Sequence, residues 1–142
     1  MDTIFIKEAD QKRTWYVIDA AGKPLGRVAA KAAATVRGKN KATYAPHQNM
    51  GDYVVIINAD KVAVTGGKEK KKMYYKHTGF VGHLKHYNFE TLIGRHPEKP
   101  LQLAIKGMLP HNRLGRALLS NVKVYAGTEH PHAAQNPQPL EV

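Results

Sequence analysis

No cysteine occurs in the 142 residues, which excludes disulfide staples, thiolate metal sites and cysteine nucleophiles and fits a reducing compartment. Acids are scarce: 11 Asp+Glu face 22 Lys+Arg, a formal charge of +11 with histidine neutral. The opening residues Met1-Asp2-Thr3 are not a basic segment leading into an apolar one, and the longest run of large apolar side chains covers only residues 54–57. Neither an export signal nor a membrane span is therefore expected. With 42% hydrophobic residues, a chain of this length buries roughly two thirds of its unfolded surface, so one folded domain is expected. An excess of positive charge this large suits a polyanion, either nucleic acid or an anionic membrane surface.

Local patterning points to an α/β class. Residues 15–20, Trp-Tyr-Val-Ile-Asp-Ala, are aromatic and β-branched and stop at Ala21-Gly22, which reads as a strand. Residues 53–58 form a second strand whose unbroken apolar run requires cover on both faces. Between them, residues 24–37 read as a helix with Pro24 at the first helical position and Gly38 at the C-terminal cap. Its Leu25, Val28, Ala29, Ala32 and Val36 share one face, and Arg27 and Lys31 lie nearly opposite. Strand, helix, strand at this spacing is a βαβ unit with parallel strands.

Further along, residues 73–77 read as a strand in a hairpin closed by Gly66-Gly67. Asn88 is placed to cap a helix over 89–95, residues 97–109 repeat apolar positions at helical spacing until Pro110, and a short helix is expected over 114–119. Residues 122–125 read as the last strand. The chain divides into an extended arm (1–14), one α/β domain (15–126) and an irregular, Pro-containing tail (127–142).

The positive charge is concentrated where acids are missing. Lys12, Arg13, Lys23, Arg27, Lys31, Arg37, Lys39 and Lys41 are answered only by Asp19, the six lysines from 68 to 85 only by Glu69, and the five bases from 99 to 123 by nothing. Like charges left unanswered repel and cost stability, so a neutralising partner is expected. Two of these stretches hold the groups that clamp phosphates and cap unstacked bases. One runs from Arg37 through Lys39 and Lys41 to Tyr44 and His47; the other runs from Lys106 through Arg113 to Arg116. Tyr44 serves equally well as simple loop packing. A membrane surface fits less well, because alanine dominates the first helix and no helix pairs a basic face with a large apolar one.

Catalytic motifs fare worse. Thr65-Gly66-Gly67-Lys68 resembles the end of a P-loop, but Val62 stands where a glycine is needed and Glu69 where Ser or Thr is needed. The turn Gly22-Lys23-Pro24-Leu25-Gly26 sits where a dinucleotide fingerprint belongs without having its spacing. The eight histidines show no metal-ligand spacing, so neither metal nor cofactor is expected. Asp19 and Asp60 lie at or just after the carboxyl ends of the first two strands, where open α/β sheets bind ligands. A small enzyme acting on a phosphorylated ligand there is the alternative to RNA binding, but turn capping suits both aspartates better.

The order of several long motifs resembles a known family. Ile105-Lys106-Gly107-Met108-Leu109-Pro110, then Gly115-Arg116, then Val122-Lys123-Val124-Tyr125 is similar to the signature of bacterial large-subunit ribosomal protein L-thirteen. So are residues 15–20 with 22–27, 51–61, and 125–135. The resemblance implies a three-layer α/β/α domain on a mostly parallel four-stranded sheet, with no enzymatic activity and no small-molecule substrate. It implies a cytoplasmic place on the ribosome, with large-subunit ribosomal RNA and neighbouring ribosomal proteins as partners and a role early in subunit assembly. Carried onto this chain, the RNA contacts are Lys23, Arg27, Lys31, Arg37, Lys39, Lys41, Tyr44, His47, Lys106, Arg113 and Arg116, with Lys70, Lys71 and Lys72 added from the lysine-rich stretch.

Overall fold

Four parallel strands form the central sheet of the computed structural model, which describes residues 5–142. The first four residues of the expected arm lie outside the described residues. In chain order the strands are β1 (Trp15–Asp19), β2 (Tyr53–Ile57), β5 (Val122–Val124) and β6 (Gln138–Pro139), and they lie side by side as β5-β2-β1-β6. The register pairs Tyr16 with Val54 and Ile18 with Ile56, and Val54 and Ile56 pair in turn with Val122 and Val124.

Five helices are interposed: α1 (Leu25–Arg37), α2 (Lys68–Lys71), α3 (Phe89–Arg95), α4 (Lys99–Met108) and α5 (Arg113–Ser120). The steps β1 to β2 and β2 to β5 move in the same direction across the sheet, so right-handed crossovers put their helices on one face. Ile18, Val54 and Ile56 meet Val28, Ala32 and Val36 of α1, Leu101 and Ile105 of α4 and Leu118 of α5 in one core. The last step runs back past β2 and β1 to β6, so its chain covers the other face. There Trp15 stacks on Tyr53 with ring centroids 4.5 Å apart and meets the ring of His132 at 5.1 Å. The fold is thus the expected three-layer α/β type on a parallel sheet, with a thin third layer: residues 125–137, carrying a 3-10 turn at Ala133–Gln135. Val54, Val55 and Ile56 are fully buried, which is why that strand needed no polar alternation.

Several boundaries move for local reasons. Pro24 is the N-cap of α1 with extended ψ, not its first residue. Helix α4 begins at Lys99, two residues later than its apolar period suggested, and α5 begins one residue earlier because Asn112 caps it by accepting from the Gly115 N–H at 2.8 Å. Asn88 caps α3 as expected, accepting from the Thr91 N–H. The hairpin differs more. Met73–His77 (β3) pairs antiparallel with Leu84–Asn88 (β4), and the turn holds Gly79 and Gly82 at positive φ. Gly66 and Gly67 lead into α2 instead. Strand β4 left no apolar alternation to read because most of it is exposed. The tail is irregular over most of its length, but Gln138–Pro139 form the sheet's edge strand, where a residue lacking an N–H is tolerated.

Candidate nucleic-acid interface

Helix α1 divides its faces as its sequence dictates. Leu25, Val28, Ala29, Ala32 and Val36 are buried, and Arg27, Ala30 and Lys31 are exposed. Gly38 ends the helix in the left-handed conformation, φ 82, its N–H reaching the carbonyls of Ala34 and Thr35. A Cβ at this position would also come within 2.9 Å of the Met50 carbonyl oxygen. The chain then folds back so closely that a Cβ on Gly51 would lie 1.6 Å from the Val36 carbonyl oxygen. Two glycines therefore seat the 38–52 loop against the end of α1.

Inside that loop, two of the expected contact residues act as braces. Arg37 donates from Nε to the Tyr44 hydroxyl at 3.2 Å and from Nη2 to the Pro46 carbonyl at 3.0 Å, with its guanidinium 5.8 Å from the Tyr44 ring centre. Lys41 places its ammonium 2.6 Å from Asp52 Oδ1 and 3.0 Å from the Lys12 carbonyl. Asp52 is 1% exposed and also accepts from the Thr14 N–H, so it ties the arm, the loop and the start of β2 together. Lys39 and His47 remain exposed, His47 lying near-parallel to Phe5 of the arm with centroids 6.1 Å apart.

The second basic segment is equally constrained. Leu109 is buried, Pro110 breaks α4, and a Cβ on Gly115 would fall 1.7 Å from the Pro110 carbonyl oxygen. Only glycine lets α5 start this close to the preceding turn. Lys106, Arg113 and Arg116 project outward from it. The two segments, some 70 residues apart in sequence, meet. A groove of about 490 Å³ is lined by Ala30, Arg37, Lys39 and Tyr44 on one side and by Met108 and His111 on the other. His111 also lines an adjoining recess bounded by Lys106 and Arg116.

Other expected residues lie elsewhere. Lys23 sits before α1, about 20 Å from its far end at 1.5 Å per residue. Lys70 and Lys71, on α2, and Lys72, just after it, are exposed beside the hairpin, Lys72 lying 5.4 Å from the Tyr74 ring centre. Among the described residues only two ion pairs form, Arg13 with Glu8 and Lys41 with Asp52. Arg27, Lys31, Lys39, Lys106, Arg113 and Arg116 therefore present unanswered charge.

The alternative acid site resolves into a turn. Asp19 Oδ1 accepts from Asn58 Nδ2 at 2.7 Å and from the Ala21 N–H at 3.0 Å. These bonds, the Asn58 one foremost, hold its carboxyl below the usual range. Two histidines likewise accept from backbone in local turns, His77 Nδ1 from the Gly79 N–H and His130 Nδ1 from the His132 N–H, while His132 lies 2.7 Å from the Tyr125 hydroxyl. Among the described residues no cluster of three or more His, Asp or Glu is arranged to hold a metal ion. Among the described residues no helix is long and apolar enough to cross a membrane.

Sequence reasoning missed Asp52, the residue that takes up the charge of Lys41. Its signal was present: Asp52 is the lone acid between residues 20 and 59, set directly before the buried run of β2.

The chain was also compared with known proteins. A family model described as ribosomal protein L13 matches residues 13–131. The large ribosomal subunit protein uL13 of Treponema denticola is 68% identical over the full length of both chains, and that of Hydrogenovibrio crunogenus is 58% identical, again over both full lengths. The uL13 protein of Symbiobacterium thermophilum is 60% identical over 92% of each chain. Matched through its βαβ core, its basic loop and its glycine-dependent turn, the chain belongs to the ribosomal protein L13 family.

Proposed function

We propose that the protein is a structural constituent of the large ribosomal subunit, without a catalytic step, which binds large-subunit ribosomal RNA through α1, the 38–52 loop and the α4–α5 turn. The observation that carries this reading is the meeting of two acid-free basic segments at one groove and its adjoining recess, where Lys39, Lys106 and Arg116 have no ion-pair partner among the described residues. Cations held this way neutralise phosphates from more than one RNA helix and so favour their packing. Arg27 and Lys31 extend the surface along α1. Arg37 and Lys41 hold the loop in shape, and Tyr44 lines the groove. Because glycine contacts and internal braces build the surface before RNA arrives, its ordering cost is already met. That preorganisation suits a protein that joins early in assembly. Its place is the cytoplasmic ribosome, among neighbouring ribosomal proteins.

Salt titration of binding to a large-subunit RNA fragment tests the reading. Log affinity falls linearly with log salt, with a slope of roughly 0.7 to 0.9 per phosphate contacted. The double variant Arg27→Glu/Lys31→Glu lowers affinity and shortens the slope by at least two contacts while melting unchanged. An unaltered slope refutes the assignment of this face. For the assembly role, the protein is expected to sediment with precursor particles as well as with mature subunits.

A further inference from the structure

Helix α4 meets a groove at each end. Met108 lines the one described above, and about 14 Å back along the helix Lys99 lines a second, of about 420 Å³, whose other wall is the β3–β4 ribbon. Arg95, at the end of α3, and Lys76, on β3, line it too.

The ribbon's register decides which side chains face this groove. Tyr74 pairs with Tyr87 and Lys76 with Lys85, so strand alternation puts these four on one face. That face turns toward α3 and α4: Tyr74 packs on the core, and the Tyr87 ring centre lies 5.4 Å from the Arg95 guanidinium. The opposite face, with Met73, Tyr75, His77, Leu84, His86 and Asn88, holds no lysine, arginine or acid. Both lysines of the ribbon therefore stand on the groove side.

Those lysines are also directly opposite each other. The Thr78 N–H reaches the His83 carbonyl and the Phe89 N–H the Lys72 carbonyl, which makes 76–85 a hydrogen-bonded pair as well, with Cα atoms roughly 5.5 Å apart. Like charges so placed destabilise a ribbon. Lys76, Lys85, Arg95 and Lys99 are all exposed, and none has an ion-pair partner among the described residues. The acids nearest in sequence, Glu90 and Glu98, do not line the groove. An anion held between the two walls relieves the repulsion.

We infer that this groove is a second phosphate-binding site, which grips the sugar–phosphate backbone of RNA between the Lys76–Lys85 pair on one wall and Arg95 and Lys99 on the other. RNA held at the far end of α4 brings further phosphates within reach, which favours RNA over an acidic protein segment. The cations meet phosphate and read no base. This inference rests on the RNA-binding reading above and adds a separate contact to it.

Anisotropy with the intact protein and a fluorescein-labelled large-subunit RNA fragment tests it. Lys76→Ala/Lys85→Ala shortens the slope of log affinity against log salt by at least about 0.7, roughly a 5-fold loss accumulated over a tenfold change in salt. Its melting temperature stays level or rises, because a like-charge pair is gone. Arg95→Ala/Lys99→Ala shortens the slope by a similar step. Lys7→Ala/Lys61→Ala, which removes as much charge outside both grooves, leaves the slope unchanged. If Lys76→Ala/Lys85→Ala keeps the parent's slope, or the variant at Lys7 and Lys61 loses as much, the site is refuted, while a slope shortened by Arg27→Glu/Lys31→Glu leaves the broader reading standing. A parent that does not bind the fragment refutes both. If a glutamate-rich ten-residue peptide depends on Lys76 and Lys85 and the RNA does not, the groove serves an acidic protein segment and the proposal fails.

Discussion

The end of α1 and the β3–β4 hairpin are both basic, yet they are built in opposite ways. At the first, Gly38 and Gly51 bring backbones into contact that no Cβ would permit, and buried groups tie the loop down. In the hairpin, Gly79 and Gly82 have open space around them, and Phe80, Val81 and Leu84 stand in solvent. A surface made from close backbone approach is shaped in advance. One made from exposed side chains on a two-stranded ribbon has no such frame, since a ribbon of two strands is marginal alone.

The glycines give the largest expected contrast. Gly51→Ala drives a methyl into the Val36 carbonyl and costs more than about 4 kcal/mol or prevents folding, as read by urea denaturation. A loss below about 1 kcal/mol would show that the loop can move aside, and the contrast would collapse. Next, Asp52→Asn leaves the Lys41 ammonium without its counter-charge. Because Lys41 is 19% exposed and still reaches water, the loss is about 2–3 kcal/mol, below the range for fully enclosed pairs. Hydrogen exchange should rise together in the arm and the 38–52 loop but not in the hairpin. On the other side of the comparison, Gly79→Ala costs about 1 kcal/mol, because only its positive φ of 94 opposes a side chain.

The smallest effect is a pH response in the thin third layer. Burial, then the neighbouring charges of His130 and Lys123, hold the His132 imidazolium below its ordinary pKa. The unfolded chain therefore takes up this proton at higher pH than the folded one. Stability is highest above the ordinary value near 6.5 and declines as pH falls from there through the depressed folded value. A His132→Gln variant should flatten that decline, measured as melting temperature between pH 7.5 and 5. An unchanged slope would free His132 from any part in it. Asp19, also depressed, acts in a lower window: its contribution is present above its unfolded pKa and fades as pH drops through the folded one.

Much of this was legible beforehand where local chemistry decides. Helix α1, its Gly38 cap, the Asn88 cap and the fully covered β2 each follow from a periodicity or a capping rule within a few residues. Strand β4 and β6 were not, because exposed or two-residue strands have no apolar pattern and exist only through their partners. In the site, Arg27 and Lys31 were readable because a helical wheel separates them from the core. Lys41 was not, since its role depends on Asp52, eleven residues away and brought near by two glycines.

The sequence by itself determined the sign of the surface, the face of α1 that carries it and the α/β class, because charge and periodicity are local properties. Tertiary structure alone decided which cations stay free, that residues 37–44 and 107–111 share one groove, and that the hairpin, α3 and α4 line another. Those outcomes depend on distances between segments far apart in the chain, which only backbone packing sets.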